Sequence, residues 1–301
     1  MKKIILIIDD EAIQATALRK KLLENFNNAE IICASSENDI QDYIENKFYN
    51  LVLLDIRMDD YQFDGIKLAK QIIEINPFAK IIFVSKFLNE YMPALNELMG
   101  TGRILAFSEK EEYDTWIKKL TPIIQDYYNG YNIENEVSKA LQNMYQEAKN
   151  EEDTYKKGVL FENFVTLLFR AIGYSTVLKR VKDISLNEID LIVRNDIDDS
   201  FLSKFGRYFL IECKNKPNTK VDKNDYIIFR SKLQNSNDMA NLGFIFTTSS
   251  ITRNTYIEDA RASHSEGKIL FIDNNIIYRL TTVVDIKEEF KRIIDEHVKM
   301  N

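Results

Sequence analysis

Short apolar runs, each ending in a charged or hydroxyl residue, constrain this chain more than any other feature. Five of them open the sequence: Ile4–Ile8, Glu30–Ala34, Leu51–Leu54, Ile81–Val84 and Ile104–Phe107. Such continuous runs suit strands buried on both faces of a parallel sheet, and helical patterns separate them. A last amphipathic helix is expected over about 112–127. Strand-like runs return later at Ser175–Arg180, Glu188–Arg194, Arg207–Lys214, Gly243–Thr247 and Lys268–Ile272. Alternation of this kind predicts an α/β architecture in both halves, and 301 residues predict about two domains.

Between the halves, Ile133, Val137, Ala140, Leu141, Met144 and Ala148 recur at helical spacing after the turn signal Asn129-Gly130-Tyr131-Asn132. The expected organisation is therefore a domain over 1–128, a helical linker over 129–153, a second domain over 154–282 and a C-terminal helix over 283–301. In the second domain, Phe161, Phe164, Val165, Leu168, Phe169 and Ile172 line one helix face, and Gly173 is placed to end that helix in a left-handed conformation. Further helices are expected over about 222–234, 253–264 and 285–299.

Composition narrows the function. No apolar run is long enough to span a bilayer, and the opening MKKIILII stops at Asp9-Asp10, so a buried strand is preferred over a signal peptide. Cys33 and Cys213 lie in strand-like runs, which argues against a disulfide framework and fits a cytoplasmic location. The net charge of −7 is unevenly spread: 15 basic against 21 acidic residues over 1–130, but 19 against 15 over 154–282. Only the second region is a plausible partner for a polyanion such as DNA. His264 and His297 are far apart, no Cys-x-x-Cys occurs, and no Walker-type loop is present, which removes zinc and ATP-driven chemistry from consideration.

Two constellations carry chemistry. In Glu188-Ile-Asp190-Leu-Ile-Val193 and Phe209-Leu-Ile-Glu212-Cys-Lys214, carboxylates stand at or near the ends of apolar strands, where an unpaired charge is costly. Residues two apart share a strand face, so Glu212 and Lys214 project together, and Asp190 joins them if the two strands pair. Two carboxylates and the Cys213 carbonyl suit Mg²⁺, with Mn²⁺ as a substitute, and Lys214 is placed to orient a water or stabilise charge on a phosphate. In the first half, Asp9, Asp10 and Glu11 follow strand one, Asp55 ends strand three, and Ser85 and Lys110 end strands four and five. The carboxyl ends of parallel strands share one rim. There Asp9, Asp10 and Asp55 can hold Mg²⁺, Asp55 can accept a phosphoryl group, and Ser85 and Lys110 can bind its oxygens.

Residues 155–280 resemble the Mrr-type restriction endonuclease domain of the PD-(D/E)xK superfamily. The likeness rests on Gly158-Val-Leu-Phe-Glu162, Gly173-Tyr174, Ile189-Asp190, Glu212-Cys-Lys214, Gly243-Phe-Ile-Phe-Thr-Thr-Ser249 and Ile269-Leu-Phe-Ile-Asp273. It implies that Asp190 and Glu212 bind metal, that Lys214 is catalytic, and that Glu162 completes the metal site. Glu212 stands where many Mrr-like domains carry Gln, and Ile184–Glu188 replaces a Gly-rich approach to the Asp. Residues 1–128 resemble the receiver domain of response regulators, with a flavodoxin-like fold. Phe107 matches the switch aromatic, and Glu111 stands where Pro is frequent.

The expected whole is a Mg²⁺-dependent endodeoxyribonuclease governed by a phosphoacceptor domain, acting on DNA as a homodimer, with a histidine kinase or other phosphodonor as partner and no membrane association. Two alternatives remain open at this point. One is a signalling adaptor whose nuclease fold only binds nucleic acid or protein. The other is an RNA- or junction-specific nuclease. Lys216, Lys220, Lys223, Arg253 and Arg261 are candidate phosphate contacts.

Overall fold

The computed structural model describes residues 3–59, 61–86, 88–130, 133–182, 188–236, 239–262 and 267–300. The chain divides into two compact units, Met1–Glu136 and Val137–Asn301. Tyr131-Asn132 of the expected turn, most of the segment preceding Glu188, and His264 fall outside the described residues. The segment expected as a linker is divided at this boundary, with Val137–Asp153 and the C-terminal helix both belonging to the second unit.

The first unit is a five-stranded parallel sheet in the order β2-β1-β3-β4-β5, formed by β1 (Ile4–Ile8), β2 (Glu30–Ala34), β3 (Leu51–Asp55), β4 (Lys80–Ser85) and β5 (Ile104–Glu109). This is the flavodoxin-like order, with its reversal between β1 and β3. Every residue of β3 from Leu51 to Leu54 is fully buried, which is why the central strand reads as an uninterrupted apolar run. The connecting helices are α1 (Ala12–Asn25), α2 (Glu37–Asn46), α3 (Gly65–Ile75), α4 (Leu88–Met99) and α5 (Tyr113–Gly130). Ser36 and Asp64 cap α2 and α3 by accepting from the backbone N–H groups of Asp39 and Lys67. On one face, Leu18 and Leu22 of α1 and Leu120 and Ile124 of α5 pack with Ile5, Leu53 and Ile82 of the sheet.

The second unit opens within α6 (Ile133–Asn150) and continues into α7 (Thr154–Ile172). Asp153 caps α7, and Gly173 ends it at φ 124°, with its N–H on the Phe169 and Arg170 carbonyls. Five strands follow: β6 (Val177–Lys182), β7 (Glu188–Arg194), β8 (Tyr208–Lys214), β9 (Leu242–Thr247) and β10 (Lys268–Ile272). They form a mixed sheet ordered β10-β9-β8-β7-β6, antiparallel across β6, β7 and β8 and parallel from β8 to β10. The pairing of β7 with β8 expected from the sequence is present, with Leu191 opposite Ile211.

Helices α8 (Lys223–Gln234) and α9 (Arg253–Arg261) connect the parallel strands, and α10 (Asn274–Thr282) and α11 (Ile286–Met300) close the chain. Phe169 of α7 meets Phe244, Phe246 and Phe290 edge to face, with centroids 5.7–5.8 Å apart. Tyr226, Phe229 and Leu233 of α8 pack instead with Leu210, Ile245, Ile269 and Phe271. The sequence reading missed α10. Its nine residues begin with Asn274-Asn275, which reads as a turn, and its helical start depends on the Asp273 carboxylate accepting from the N–H groups of Asn275 and Ile276.

One backbone contact ties this fold to the first candidate site. A Cβ on Gly65 would lie 2.1 Å from the Asp55 carbonyl oxygen, and the Gly65 N–H donates to the Ile56 carbonyl at 2.9 Å. Gly65→Ala must therefore push α3 away from the end of β3. It is expected to lower stability by about 1–3 kcal/mol, the range for overpacking, as read from denaturant unfolding of the full chain. An unchanged midpoint would show that this loop yields freely.

Candidate active site and acidic rim

In the first unit the carboxyl ends of β1 and β3 converge as their order requires. Oxygens of Asp9, Asp10 and Asp55 lie within 4.8 Å of one another, the only such three-ligand group among the described residues. Lys110 Nζ donates to Asp9 at 2.8 Å, to Asp55 at 2.5 Å and to the Gln14 amide oxygen at 3.2 Å. The lysine and both aspartates are nearly enclosed. Burial raises the Asp55 carboxyl above its usual range, and Lys110 opposes this. Burial pulls the Lys110 ammonium down, but Asp55 and Asp9 outweigh it and leave it raised. Burial, then Asp9, raises the Asp10 carboxyl, which accepts from the Asp59 N–H.

Asp10, Asp55, Ser85 and Lys110 line one open cavity of about 200 Å³ with Arg57 and Asp59. Ser85 is buried, and Phe107 is half-buried and stacked on Phe83 at 5.9 Å. Three carboxylates this close together are a donor set suited to a hard divalent cation.

In the second unit, Glu212 is buried two residues before the end of the central strand and held by two lysines. Lys214 Nζ lies 2.8 Å from one carboxylate oxygen and Lys232 Nζ lies 2.8 Å from the other. Lys214 also approaches Asp225 at 3.4 Å, and Asp225 meets Lys216 at 3.3 Å. Burial pulls the Lys214 ammonium down, but Glu212 and Asp225 leave it raised. Beyond the last paired residues of β7 and β8, Asp190 accepts from the Cys213 N–H at 2.7 Å. Burial, then the Glu212 charge, raises the Asp190 carboxyl to about 6. Two carboxylates that destabilise each other in a buried setting make a donor set suited to a hard divalent cation.

The structure therefore brings Asp190, Glu212 and Lys214 together, as their spacing predicts. Glu162 pairs with Arg180 at 2.8 Å and belongs to no three-ligand group among the described residues, yet it is near enough for its charge to help raise the Asp190 carboxyl. Of the predicted phosphate contacts, Lys216 is paired with Asp225, while Lys223 and Arg261 approach Glu258 at 2.8 and 3.9 Å. His297 makes a local contact with the Ile293 carbonyl. Sequence reasoning missed Lys232 and Arg180. The only sequence signal for Lys232 is its place on α8, three residues after Phe229 and next to Leu233, both of which face the sheet.

Residues 5–121 match the response regulator receiver domain family, and residues 157–281 match the restriction endonuclease family of Mrr type. The chain thus joins a receiver domain to a restriction-endonuclease-like domain. The transcriptional regulatory protein ComA of Bacillus subtilis (strain 168) is 31% identical over 132 residues, 43% of this chain and 58% of that protein. The match thus spans little more than half of that relative's length. Among solved structures, a response regulator receiver domain protein (CheY-like) from Methanospirillum hungatei JF-1 is 24% identical with a TM-score of 0.36, covering 43% of this chain and 96% of its own. A response regulator from Colwellia psychrerythraea is 16% identical with a TM-score of 0.36, covering 44% of this chain and 100% of its own. Among the described residues no helix is long and apolar enough to cross a membrane.

The raised Asp190 carboxyl sets a pH dependence. With its metal-free value near 6, Asp190 is mostly ionised at pH 7.5 and mostly protonated at pH 5. A cation needs the ionised form, so protons compete with it increasingly as pH falls. Apparent Mn²⁺ affinity of the second unit, measured by calorimetry on the full chain carrying Asp55→Asn, is expected to weaken about tenfold per pH unit below 6. A flat affinity from pH 7.5 to 5 contradicts this.

Proposed function

We propose that this chain is a divalent-metal-dependent nuclease that hydrolyses DNA phosphodiester bonds, with its activity governed by phosphorylation of Asp55. The observation that carries the nuclease reading is the arrangement at the end of β8. There Glu212 is buried beside Asp190, and Lys214 projects from the same strand as Glu212.

Asp190 and Glu212, with the Cys213 carbonyl, would hold Mg²⁺ or Mn²⁺. Such an ion supplies charge neutralisation at the phosphate and a lowered pKa for the attacking water. Lys214 is the group within reach to orient that water and to stabilise the charge that develops on phosphate oxygens. Lys232, bonded to the other Glu212 oxygen, fixes the carboxylate from the opposite side. Asp225 holds Lys214 from behind, so the ammonium stays extended beside the carboxylates.

In the first unit, Asp55 is the proposed phosphoacceptor, Asp9 and Asp10 the proposed Mg²⁺ ligands, and Lys110 and Ser85 the groups that bind the phosphoryl oxygens. Phe107 is the proposed switch aromatic. Phosphorylation at such a rim rearranges the ion pairs of Lys110, because the phosphoryl group brings new charge and acceptor oxygens into direct contact with it. Double-strand cleavage requires two active sites, so dimer formation is the proposed route from the phosphorylated state to activity. Both cysteines are free, in keeping with a cytoplasmic location.

Asp190→Ala and Lys214→Ala are each expected to reduce Mg²⁺-dependent DNA cleavage by at least about a hundredfold, the scale of losing an electrostatic catalytic group, while duplex binding in a gel-shift assay persists. Wild-type protein that cuts no duplex, single-stranded, methylated or branched DNA with Mg²⁺ or Mn²⁺ would instead favour the adaptor reading. For regulation, beryllofluoride with Mg²⁺ is expected to change both the sedimentation coefficient and the cleavage rate of wild type and to leave Asp55→Asn unaltered. If neither quantity moves in wild type, control through Asp55 is wrong.

A further inference from the structure

Arg180 is the only described residue other than glycine with a positive φ, at 50°. A left-handed conformation is unfavourable for a long side chain, and where it persists the surroundings must hold it. Arg180 lies within the edge strand β6. Its neighbours Lys179 and Val181 pair with Leu191 and Ile189, so the ladder breaks at the position opposite Asp190. The departure from regular strand geometry thus falls beside a proposed metal ligand.

What holds Arg180 there is specific. Its Nε donates to Glu162 at 2.8 Å, Nη2 reaches the other Glu162 oxygen at 3.5 Å, and Nη1 donates to the Tyr155 hydroxyl at 3.0 Å. The guanidinium stacks 5.2 Å from the Tyr155 ring centroid, and its side chain remains one-third exposed. Tyr155 itself is 72% exposed. A planar guanidinium backed by an open aromatic ring, at the strand position opposite Asp190, is suited to bind a phosphodiester oxygen.

We infer that Arg180 is a substrate-binding residue of the nuclease site, contacting a phosphate of duplex DNA next to the bond that is cut, and that its pairing with Glu162 is the resting partner it gives up. This rests on the nuclease reading above. Glu162 lies within electrostatic reach of Asp190 while its ion pair is with Arg180. A cation held by Asp190 and Glu212 would compete with Arg180 for the Glu162 carboxylate, and the guanidinium given up is then free for phosphate.

The test uses the full chain carrying Asp190→Asn, which keeps a mixed-sequence DNA duplex uncut, and measures affinity as a function of salt. Arg180→Gly tolerates the positive φ but lacks the charge, whereas Arg180→Lys keeps the charge. Arg180→Gly is expected to bind about tenfold more weakly, with a log–log salt slope smaller in magnitude by about one, and Arg180→Lys to retain most of the slope. Unchanged affinity, or weaker binding with an unchanged slope, overturns the inference and leaves the nuclease reading intact. A parent that neither binds this duplex nor, with Asp190 restored, cleaves any DNA overturns both.

Discussion

A carboxylate buried at the end of a central strand is the constraint on which both units turn. Asp55 ends β3 and Glu212 lies one turn of the pleat before the end of β8, and each of these strands is the middle one of its sheet. Burial there strips hydration from the charge, and a cation within hydrogen-bond reach has to offset the loss. Lys110 does this for Asp55 and Asp9 together, and Lys214 and Lys232 do it for Glu212. Apolar residues of similar volume would hold such positions at no cost in desolvation. The charges are therefore better explained by chemistry than by stability, and the cations around them define what can approach: an ion of opposite sign at the carboxylates, an anion at the lysines.

Much of this was legible in the sequence because strand ends are where period and charge change together. Leu51–Leu54 runs straight into Asp55, and Ile211 into Glu212, so the buried strand and its terminal carboxylate are visible in one reading. Helix α7 was equally open, since its apolar stripe ends at Gly173, whose φ of 124° explains the residue. The topology followed from the alternation of strands and helices, which leaves few ways to order a parallel sheet.

What escaped depends on contacts distant in sequence. Lys232 lies 20 residues from Glu212, and no spacing rule links a helix lysine to a strand carboxylate. Resemblance implied Glu162 at the metal, and its charge does reach Asp190, but the ion pair it makes is with Arg180, 18 residues away on an edge strand. The positive φ that brings Arg180 into play has no sequence signature, because arginine is not a residue that favours it. Helix α10 was hidden for a related reason: nine residues supply too few turns for periodicity to stand out, and burial of Ile277 and Leu280 against the rest of the unit fixes the helix.

The two sites differ in how far their cations are committed. Lys110 is nearly enclosed and shared by two aspartates, so its position is determined by both at once. Any new charge on Asp55 must redistribute its bonds, which is what a switch requires. In the second unit the work is divided. Lys214 and Lys232 each take one oxygen of Glu212, and Arg180 takes Glu162 on another flank. That division compensates Glu212 and Glu162 but leaves Asp190, among the described residues, with only the Cys213 N–H, so Asp190 is the carboxylate on which burial and the Glu212 charge bear unopposed by an ion pair of its own. A site built this way is held in shape by its own side chains, because each oxygen of Glu212 is already fixed by a separate lysine.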